Sequence, residues 1–451
     1  MTSTSVLWFR RDLRLADHPA LVAAAGAGAV VPLFVLDPAL LGPAGAARTA
    51  FLYRCLRALD GSMGGRLVVR AGDPVEVVPQ VALEADAATV FVSADFGPYG
   101  RRRDTEVGRA LKSAGRRLTG IGSPYAVDPG QIRKADGTPF RVFTPFARAW
   151  RAHGWAPPAP APAAVPWVGG LASEPVPDEP AVTATLPPAG AAAALARLEA
   201  FLAGPVDDYA QRRDRPDDDA TTRLSPYLKF GCVHPRQVLA RLGRTEAHEK
   251  LRSELAWREF YADVLWHQPE SAREALQPAM AAMEVDTGPA ADERFRAWTE
   301  GRTGFPFVDA GMRQLLGEAW VHNRVRMVVA SFLVKDLHID WARGARWFLR
   351  NLVDGDTASN SHGWQWVAGT GTDPAPYFRI FNPVTQGKEH DPEGDYVRRW
   401  VPELAGVAGG AVHEPWKLPG GPPAGYPGRI VDHAAERAEA LRRYGALKSE
   451  G

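Results

Sequence analysis

LVDGDTASNSHGWQWVAGTGTDPAPYFRIFNPVTQG, residues 352–387, gathers two carboxylates (Asp354 and Asp356), an amide (Asn360), two tryptophans (Trp364 and Trp366) and a late arginine (Arg379) into one span. On a helix, side chains two positions apart point in widely separated directions. Trp364 and Trp366 are therefore expected to face different compartments instead of stacking on each other. Two core indoles is the plainer alternative, and the one that a tryptophan met singly favours. Gly363 before the pair and Gly369 and Gly371 after it leave room for a planar group to approach the backbone closely. Outward from this span the pattern is helical. From 191 to the end the chain runs in long amphipathic stretches with short Gly/Pro breaks and no internal repeat, which predicts an all-helical C-terminal domain over 191–451.

The first 128 residues read differently. SVLWFR, AVVPLFVLD, GRLVVRAG, TVFVSAD and RRLTGIGS are short apolar runs ended by turn or charged residues, and helical segments such as TAFLYRCLRAL and DTEVGRALKSAG lie between them. Strand and helix in alternation predict an open, parallel, Rossmann-like α/β sheet with helices on both faces. No G-x-G-x-x-G follows a strand, so the ordinary dinucleotide fingerprint is absent. Between 129 and 190 the order dissolves. QIRKADGTPFRVFTPFARAWRAHG holds one helical turn's worth of aromatics, and then proline and alanine take over, as expected of a connector ordered only by docking on the surface.

Composition bounds the function. A chain of 451 residues has room for two or three domains with full cores. Its formal net charge of +1 puts any nucleic-acid contact on a local basic face rather than a global field. Cys55 and Cys232 are the two cysteines, too few for a four-cysteine iron–sulfur site and no disulfide framework. No apolar run approaches a membrane span and MTSTSVLWFRRDLRL lacks a secretory apolar region, so a cytoplasmic protein is expected, held near the nucleoid by DNA. No metal-ligand cluster and no nucleophile with a base is evident.

Four more constellations carry chemistry. Thr221, Thr222, Arg223, Leu224 and Ser225 lead into a helix whose first amides suit a phosphate, or are simply capped by Ser225. Glu254, Trp257 and Arg258 fall at i, i+3 and i+4, so a carboxylate, an indole and a guanidinium share one helical face. That face suits a pocket that stacks a base and bonds its edge, and equally a buried ion-paired helix with a core tryptophan. In WVHNRVRMVVASFLVKDL, Asn323 and Met327 share a face with Arg324 beside them, while His322 and Arg326 lie on another; solvated cations on an amphipathic helix fit as well. In FGPYGRRRD three arginines follow a Pro-Tyr-Gly turn, as a binding group or as a solvated helix start.

The 352–387 span, TTRLSPYLKFG, SELAWREFY, NRVRM and the opening WFRRDLRLADHPAL together resemble the photolyase/cryptochrome flavoproteins, and most of all the class I cyclobutane pyrimidine dimer photolyases. The resemblance runs from WFRRDLRL to RRWVPEL and implies FAD in the helical domain. It places Tyr209, Thr221, Thr222, Arg223, Leu224, Ser225, Arg326, Asp354, Asp356 and Asn360 around the cofactor, with Arg326 paired to Asp354 and Asn360 by flavin N5. It assigns Arg213, Glu254, Trp257, Asn323, Arg324, Met327, Trp366, Arg379 and Gln386 to DNA and the lesion. UV-damaged DNA is the implied partner, bound by a monomer with no obligatory protein partner. The implied reaction is light-driven: excited reduced FAD passes an electron to a flipped-out dimer, the cyclobutane ring opens and the electron returns. Trp364 and Trp341 match the flavin-proximal and middle members of an electron-carrying tryptophan chain, and the third position falls near Gly288, where no tryptophan stands. The PYG-R-x-RD form resembles chains with an 8-hydroxy-deazaflavin antenna, methenyltetrahydrofolate being the alternative. A cryptochrome without repair is the rival from another class. It is opposed by Glu254, Trp257, Asn323, Met327 and Trp366 and by the lack of a long tail. A (6-4) photolyase is opposed by Met327, where histidine is usual.

Overall fold

The protein, a computed structural model, is described over residues 3–373 and 379–449. Five strands, β1 (Thr4–Phe9), β2 (Ala29–Leu36), β3 (Val68–Ala71), β4 (Ala87–Val92) and β5 (Arg117–Gly120), form one sheet in the order β3-β2-β1-β4-β5. Every pairing is parallel. β1 and β2 are buried almost end to end, as a sheet covered by helices on both faces requires. All five expected strands are present. The Pro-Tyr-Gly stretch is not a turn, however: the helix Pro98–Ser113 starts at Pro98, where a missing N–H costs nothing.

The proline-rich segment has work in this sheet. Edge strand β3 would expose unpaired backbone groups. Val69 N–H donates to Ser173 Oγ (3.0 Å), Glu174 N–H to the Val69 carbonyl (2.9 Å), and Ala71 N–H to Glu174 Oε1 (2.9 Å). Residues 166–168 bond Val30 in the same manner. Its aromatics form more than the single turn that composition suggests, an eleven-residue helix, Phe143–His153, that buries Phe146 and Trp150.

The chain gathers into two compact units whose limits do not follow cuts at 128 and 190. Residues 1–182, 187–204 and 222–269 make the first, and 183–186, 205–221 and 270–451 the second. The physical reason is visible in the first unit. Phe51, from the helix Ala46–Ser62, packs on Tyr227 (5.9 Å) and Phe230 (5.4 Å), Leu13 N–H donates to the Phe230 carbonyl, and the Arg14 guanidinium to that of Gly231. Gly231, at φ +66, lies so close to the Arg11 backbone that no Cβ fits. The helices around TTRLSPYLKFG thus pack as part of the α/β unit.

The second unit is helical throughout its described residues. Its core gathers Trp298, Phe305, Phe307, Phe332, Phe348, Trp364 and Tyr396 from the helices Pro289–Thr299, Pro306–Glu318, Trp341–Asn351, Thr357–Ala368 and Asp395–Trp400 and the π-turn Phe332–Asp336. No described helix is long and apolar enough to cross a membrane.

Candidate functional site

The second unit holds the cluster around Asp354. Arg326, on the helix Asn323–Ser331, donates from Nη2 to Asp354 Oδ2 at 2.8 Å and from Nε to the Val321 carbonyl at 2.7 Å. The Asp354 side chain is 2% exposed, and its other oxygen, Oδ1, is buried with no hydrogen-bond partner among the described residues. A carboxylate oxygen left bare in a dry interior is costly and points to a missing donor. Asp356 caps the helix Thr357–Ala368, accepting from Ser359 N–H. Asn360, one turn on, donates its amide to the Ala345 carbonyl at 2.9 Å. That bond fixes the amide and leaves its carbonyl oxygen as an acceptor.

Trp364 and Trp366 part as their spacing requires. Trp364 is 4% exposed and presses on Gly344 of the helix Trp341–Asn351, where a Cβ would stand 2.2 Å from the indole. Trp366 is half-buried at the edge of the core. Trp341, 8% exposed, opens the same helix three residues before Gly344.

Arg324 is held in a two-pronged ion pair, Nη2 to Asp214 Oδ2 at 3.0 Å and Nε to Oδ1 at 3.3 Å. Burial pushes the Asp214 carboxyl up, but Arg324 and Arg213 outweigh it and hold it below the ordinary carboxylate range. The pair ties the helix Asn323–Ser331 to the segment carrying Tyr209, 6% exposed, and Arg213, whose guanidinium lies 5.9 Å from the Tyr209 ring centre. Asn323 and Met327 meet on the exposed face, with Nδ2 3.9 Å from Sδ. Arg379 is exposed, and its carbonyl accepts from buried Lys335 at 3.0 Å. Gln386 donates to Glu389 (3.2 Å) while its Oε1 is buried without a partner among the described residues. Tyr377 and Phe378 lie outside the described residues.

The first unit carries the other candidates. Glu254 and Trp257 are half-buried on the helix Glu246–His267, which Thr245 caps. Trp257 lies flat on Phe143, centroids 3.7 Å apart and planes within 8°. Arg258, which shares their sequence spacing, does structural work. It donates to the carbonyls of Pro124 (3.0 Å) and Leu228 (3.3 Å) and covers the Tyr125 ring. Glu259 was not singled out by spacing, yet it is a buried carboxylate accepting from Ala126 N–H, Val127 N–H (3.1 Å) and Trp150 Nε1 (2.6 Å). Burial pushes its carboxyl up to about 7 against those donors. At TTRLS the helix Ser225–Phe230 is capped at Leu224, not at Ser225, and makes no side-chain cap bond. Arg223 sits at φ +47, a strained backbone of the kind found where a loop is held to a ligand's shape. The Thr222 carbonyl accepts from Arg197 (3.0 Å), and its Oγ1 accepts from Leu224 N–H (3.3 Å).

At the carboxyl ends of β1 and β4, where the strand order reverses, Arg10, Arg11, Ser93, Ala94, Asp95 and Pro124 line a small crevice. Of the three consecutive arginines, Arg103 is buried against Asp95 and Asp104, and Arg101 lies 3.7 Å from the Trp266 ring centre. Tyr99 donates to Asp37 at 2.5 Å; burial and that carboxylate push its hydroxyl well up.

Two family descriptions match the chain, the DNA photolyase domain over residues 5–164 and the FAD binding domain of DNA photolyase over 251–446. The chain belongs to the DNA photolyase family. It is 44% identical to a deoxyribodipyrimidine photo-lyase of Streptomyces griseus over 98% of this chain and 99% of that one. The corresponding enzyme of Escherichia coli is 38% identical, with 99% of each chain covered. Among solved structures, a class III photolyase from Agrobacterium tumefaciens overlays with a TM-score of 0.90 at 36% identity, covering 100% and 98% of the chains. A Sulfolobus tokodaii photolyase with two FAD molecules overlays at 0.86 (30% identity, 98% and 100%). A Synechocystis cryptochrome overlays at 0.89 (28% identity, 98% and 99%). The residues of the second unit fit the FAD that this family's helical domain binds. A ring edge carrying an N–H would satisfy Asp354 Oδ1, and the fixed Asn360 oxygen offers an acceptor to a second donor.

Proposed function

We propose that this chain repairs cyclobutane pyrimidine dimers in DNA in a light-dependent reaction, as a class I deoxyribodipyrimidine photo-lyase. The observation that carries the reading is the buried Arg326–Asp354 pair, with one carboxylate oxygen left for a ligand, in a chain that keeps Glu254, Trp257, Asn323, Met327 and Trp366. When bound, FAD supplies photo-driven donation of one electron to the dimer. The chain's own groups bind, orient and desolvate. Asp354 and Asn360 accept from the ring, and the Arg326 cation favours a negatively charged ring over a neutral one. Tyr209, Thr221, Thr222, Arg223, Leu224, Ser225 and Asp356 hold the remainder of the cofactor. Trp364 is the flavin-proximal member of the electron supply, and the resemblance gives Trp341 as the next.

DNA binds through phosphate contacts that depend on salt and not on sequence, with Arg213, Arg324, Arg379 and Gln386 contributing. A dimer is poorly stacked and flips out at less cost than a normal base. Trp257 then stacks on it and Glu254 bonds its edge; Asn323, Met327 and Trp366 are further lesion contacts that the resemblance assigns. For the antenna we favour 8-hydroxy-deazaflavin in the crevice between β1 and β4 over methenyltetrahydrofolate. The second FAD of the Sulfolobus protein makes a flavin there the further choice. A cytoplasmic monomer is the working form. The cryptochrome reading shares the fold and is opposed by the retained lesion residues.

The test is an oligonucleotide carrying one thymine dimer, incubated with the FAD-loaded protein. Loss of the dimer under blue light and not in darkness is expected. Repair of (6-4) DNA alone, or of neither lesion, refutes the substrate. The absorbance spectrum of the same preparation decides between the antennas.

A further inference from the structure

Trp364 meets two aromatic rings edge-on, Trp298 with centroids 6.1 Å apart and Phe348 at 5.2 Å. Trp298 continues the row outward, stacked on Phe295 at 5.7 Å. Phe295 in turn meets Trp347 edge-on at 6.4 Å. Exposure rises along the row, from fully buried Trp298 to Phe295 and Trp347, both partly exposed. The route that the resemblance implies runs through Trp341 and stops short of the surface. Trp341 is 8% exposed, and the place of a third indole is taken by Gly288, which caps the helix Pro289–Thr299.

We propose that Trp364, Trp298 and Trp347 form the electron-supply route of this chain, with Phe295 as the bridge and Trp347 as the terminal donor at the surface. The inference rests on the reading that FAD is held in the second unit next to Trp364. Indole is far easier to oxidise than a phenyl ring, so Phe295 couples its neighbours without holding the charge. The Arg343 guanidinium, 4.2 Å from the Phe295 ring centre and paired with Asp292 at 2.9 Å, makes a positive charge on Phe295 more costly still. Trp298 Nε1 donates to the Val329 carbonyl at 3.0 Å. A carbonyl cannot take that proton, so oxidised Trp298 keeps it and stays reducible. A cation costs more in the dry core than at a partly wet edge, so the charge runs downhill from Trp298 to Trp347.

The electrons balance. Light moves one electron from Trp364 to the oxidised flavin, and Trp364 becomes a radical cation. Trp298 reduces Trp364, Trp347 reduces Trp298 through Phe295, and an external thiolate reduces Trp347. Over two such turnovers two thiolates give up one electron each and join as a disulfide, and the flavin ends reduced by two electrons with one proton taken from solvent.

The experiment uses FAD-loaded protein, oxidised and anaerobic, under blue light with dithiothreitol, following flavin bleaching and the transient absorption of oxidised indole. Trp347→Phe is expected to slow bleaching by an order of magnitude, more than Trp341→Phe does, and to shorten the indole transient through recombination. Phe295→Leu, which widens the gap while leaving both indoles, should fall between Trp347→Phe and wild type. Dimer repair by Trp347→Phe protein reduced beforehand with dithionite should match wild type. Wild-type bleaching in Trp347→Phe and Phe295→Leu, with loss in Trp341→Phe, overturns the route and leaves the repair reading intact. A wild type that takes up no FAD, or repairs nothing after dithionite reduction, overturns that broader reading instead.

Discussion

The Arg326–Asp354 pair offers the sharpest test of the site. Arg326→Leu removes the cation and keeps much of its apolar stem, leaving Asp354 buried, with neither oxygen served by its former partner. At 2.8 Å, two unit charges attract by about 6 kcal/mol at an effective dielectric of ~20, most of which offsets the cost of taking them out of water. Breaking a buried pair by deleting one partner costs roughly 3–5 kcal/mol, because the remaining charge stays buried. The Arg326 side chain is 26% exposed, so water reaches the pair and the lower end of that range is expected. Adding Asp354→Asn removes the stranded charge, and the double variant should regain part of the loss, with a coupling of about 1–3 kcal/mol.

Denaturant titration of the three variants, followed by hydrogen exchange over 319–360, gives the cycle. Single costs that add to within about 0.5 kcal/mol would show that the two groups do not act as a unit and would refute the reasoning. Flavin affinity gives a second readout. With Arg326 still holding one side of residue 354, Asp354→Asn turns the bare acceptor into an N–H donor facing the ring's own donor. A lost bond with an unsatisfied group costs about 1–3 kcal/mol, so FAD should bind on the order of 5–150-fold more weakly. Wild-type affinity in Asp354→Asn would mean that the buried oxygen does not serve the cofactor.

Trp257→Ala should weaken binding to a thymine-dimer oligonucleotide by about 1–3 kcal/mol, the scale of one base–aromatic stack, with little change on undamaged DNA. Equal losses on both DNAs would deny Trp257 its lesion contact. His362 is buried with Nδ1 2.7 Å from the Ala358 carbonyl and Nε2 3.0 Å from Ser271 Oγ, and burial lowers its pKa from 6.5 to about 4. Between those values the unfolded chain takes up a proton that the folded chain refuses. Stability therefore falls as pH falls through this window, by ~3 kcal/mol in all. Urea midpoints for His362→Gln should show a flatter acid limb, and an unchanged slope would exclude His362 as its source. In Gly344→Ala the new Cβ would stand 2.2 Å from Trp364 and 2.5 Å from Leu333. Overpacking of about 1–3 kcal/mol should outweigh the ~1 kcal/mol gained in helix propensity and disturb the tryptophan near-UV signal; a variant as stable as wild type would show that the two helices can part freely.

What the sequence could disclose depended on the range of the interaction. The five strands were legible because a buried parallel strand is a short unbroken apolar run, a purely local signal. The divergence of Trp364 and Trp366 was legible for the same reason, since helical geometry alone sends neighbours two apart to different sides. The ion pair between Arg326 and Asp354 was not readable from spacing at all and came only with the family resemblance. The pairing of Arg324 with Asp214 spans 110 residues and had no local signature. Likewise Glu259 lies one helical turn from Leu255 in an apolar stretch, and only the folded loop 126–127 and Trp150 show why a carboxylate is tolerated there. The proline-rich segment misled most, because composition reports that a stretch cannot build a core and is silent on whose core it completes.

That segment bears on function through Phe143. An indole offers two faces, and on Trp257 one is taken by a phenyl ring in parallel contact at 3.7 Å. Phe260 and Tyr261 hold the same indole at 5.8 and 5.3 Å. A side chain fixed on three sides loses little rotamer freedom when a base arrives, so more of the stacking free energy appears as affinity. The sheet needs the segment to satisfy β3, and the helix Phe143–His153 needs the 246–267 helix to bury Trp150. Both demands fix Phe143 behind Trp257 before any DNA is present. On the proposed lesion contact of Trp257, the connector preorganises the stacking plate, and a change in it that spares every residue proposed to face the lesion is expected to weaken lesion binding.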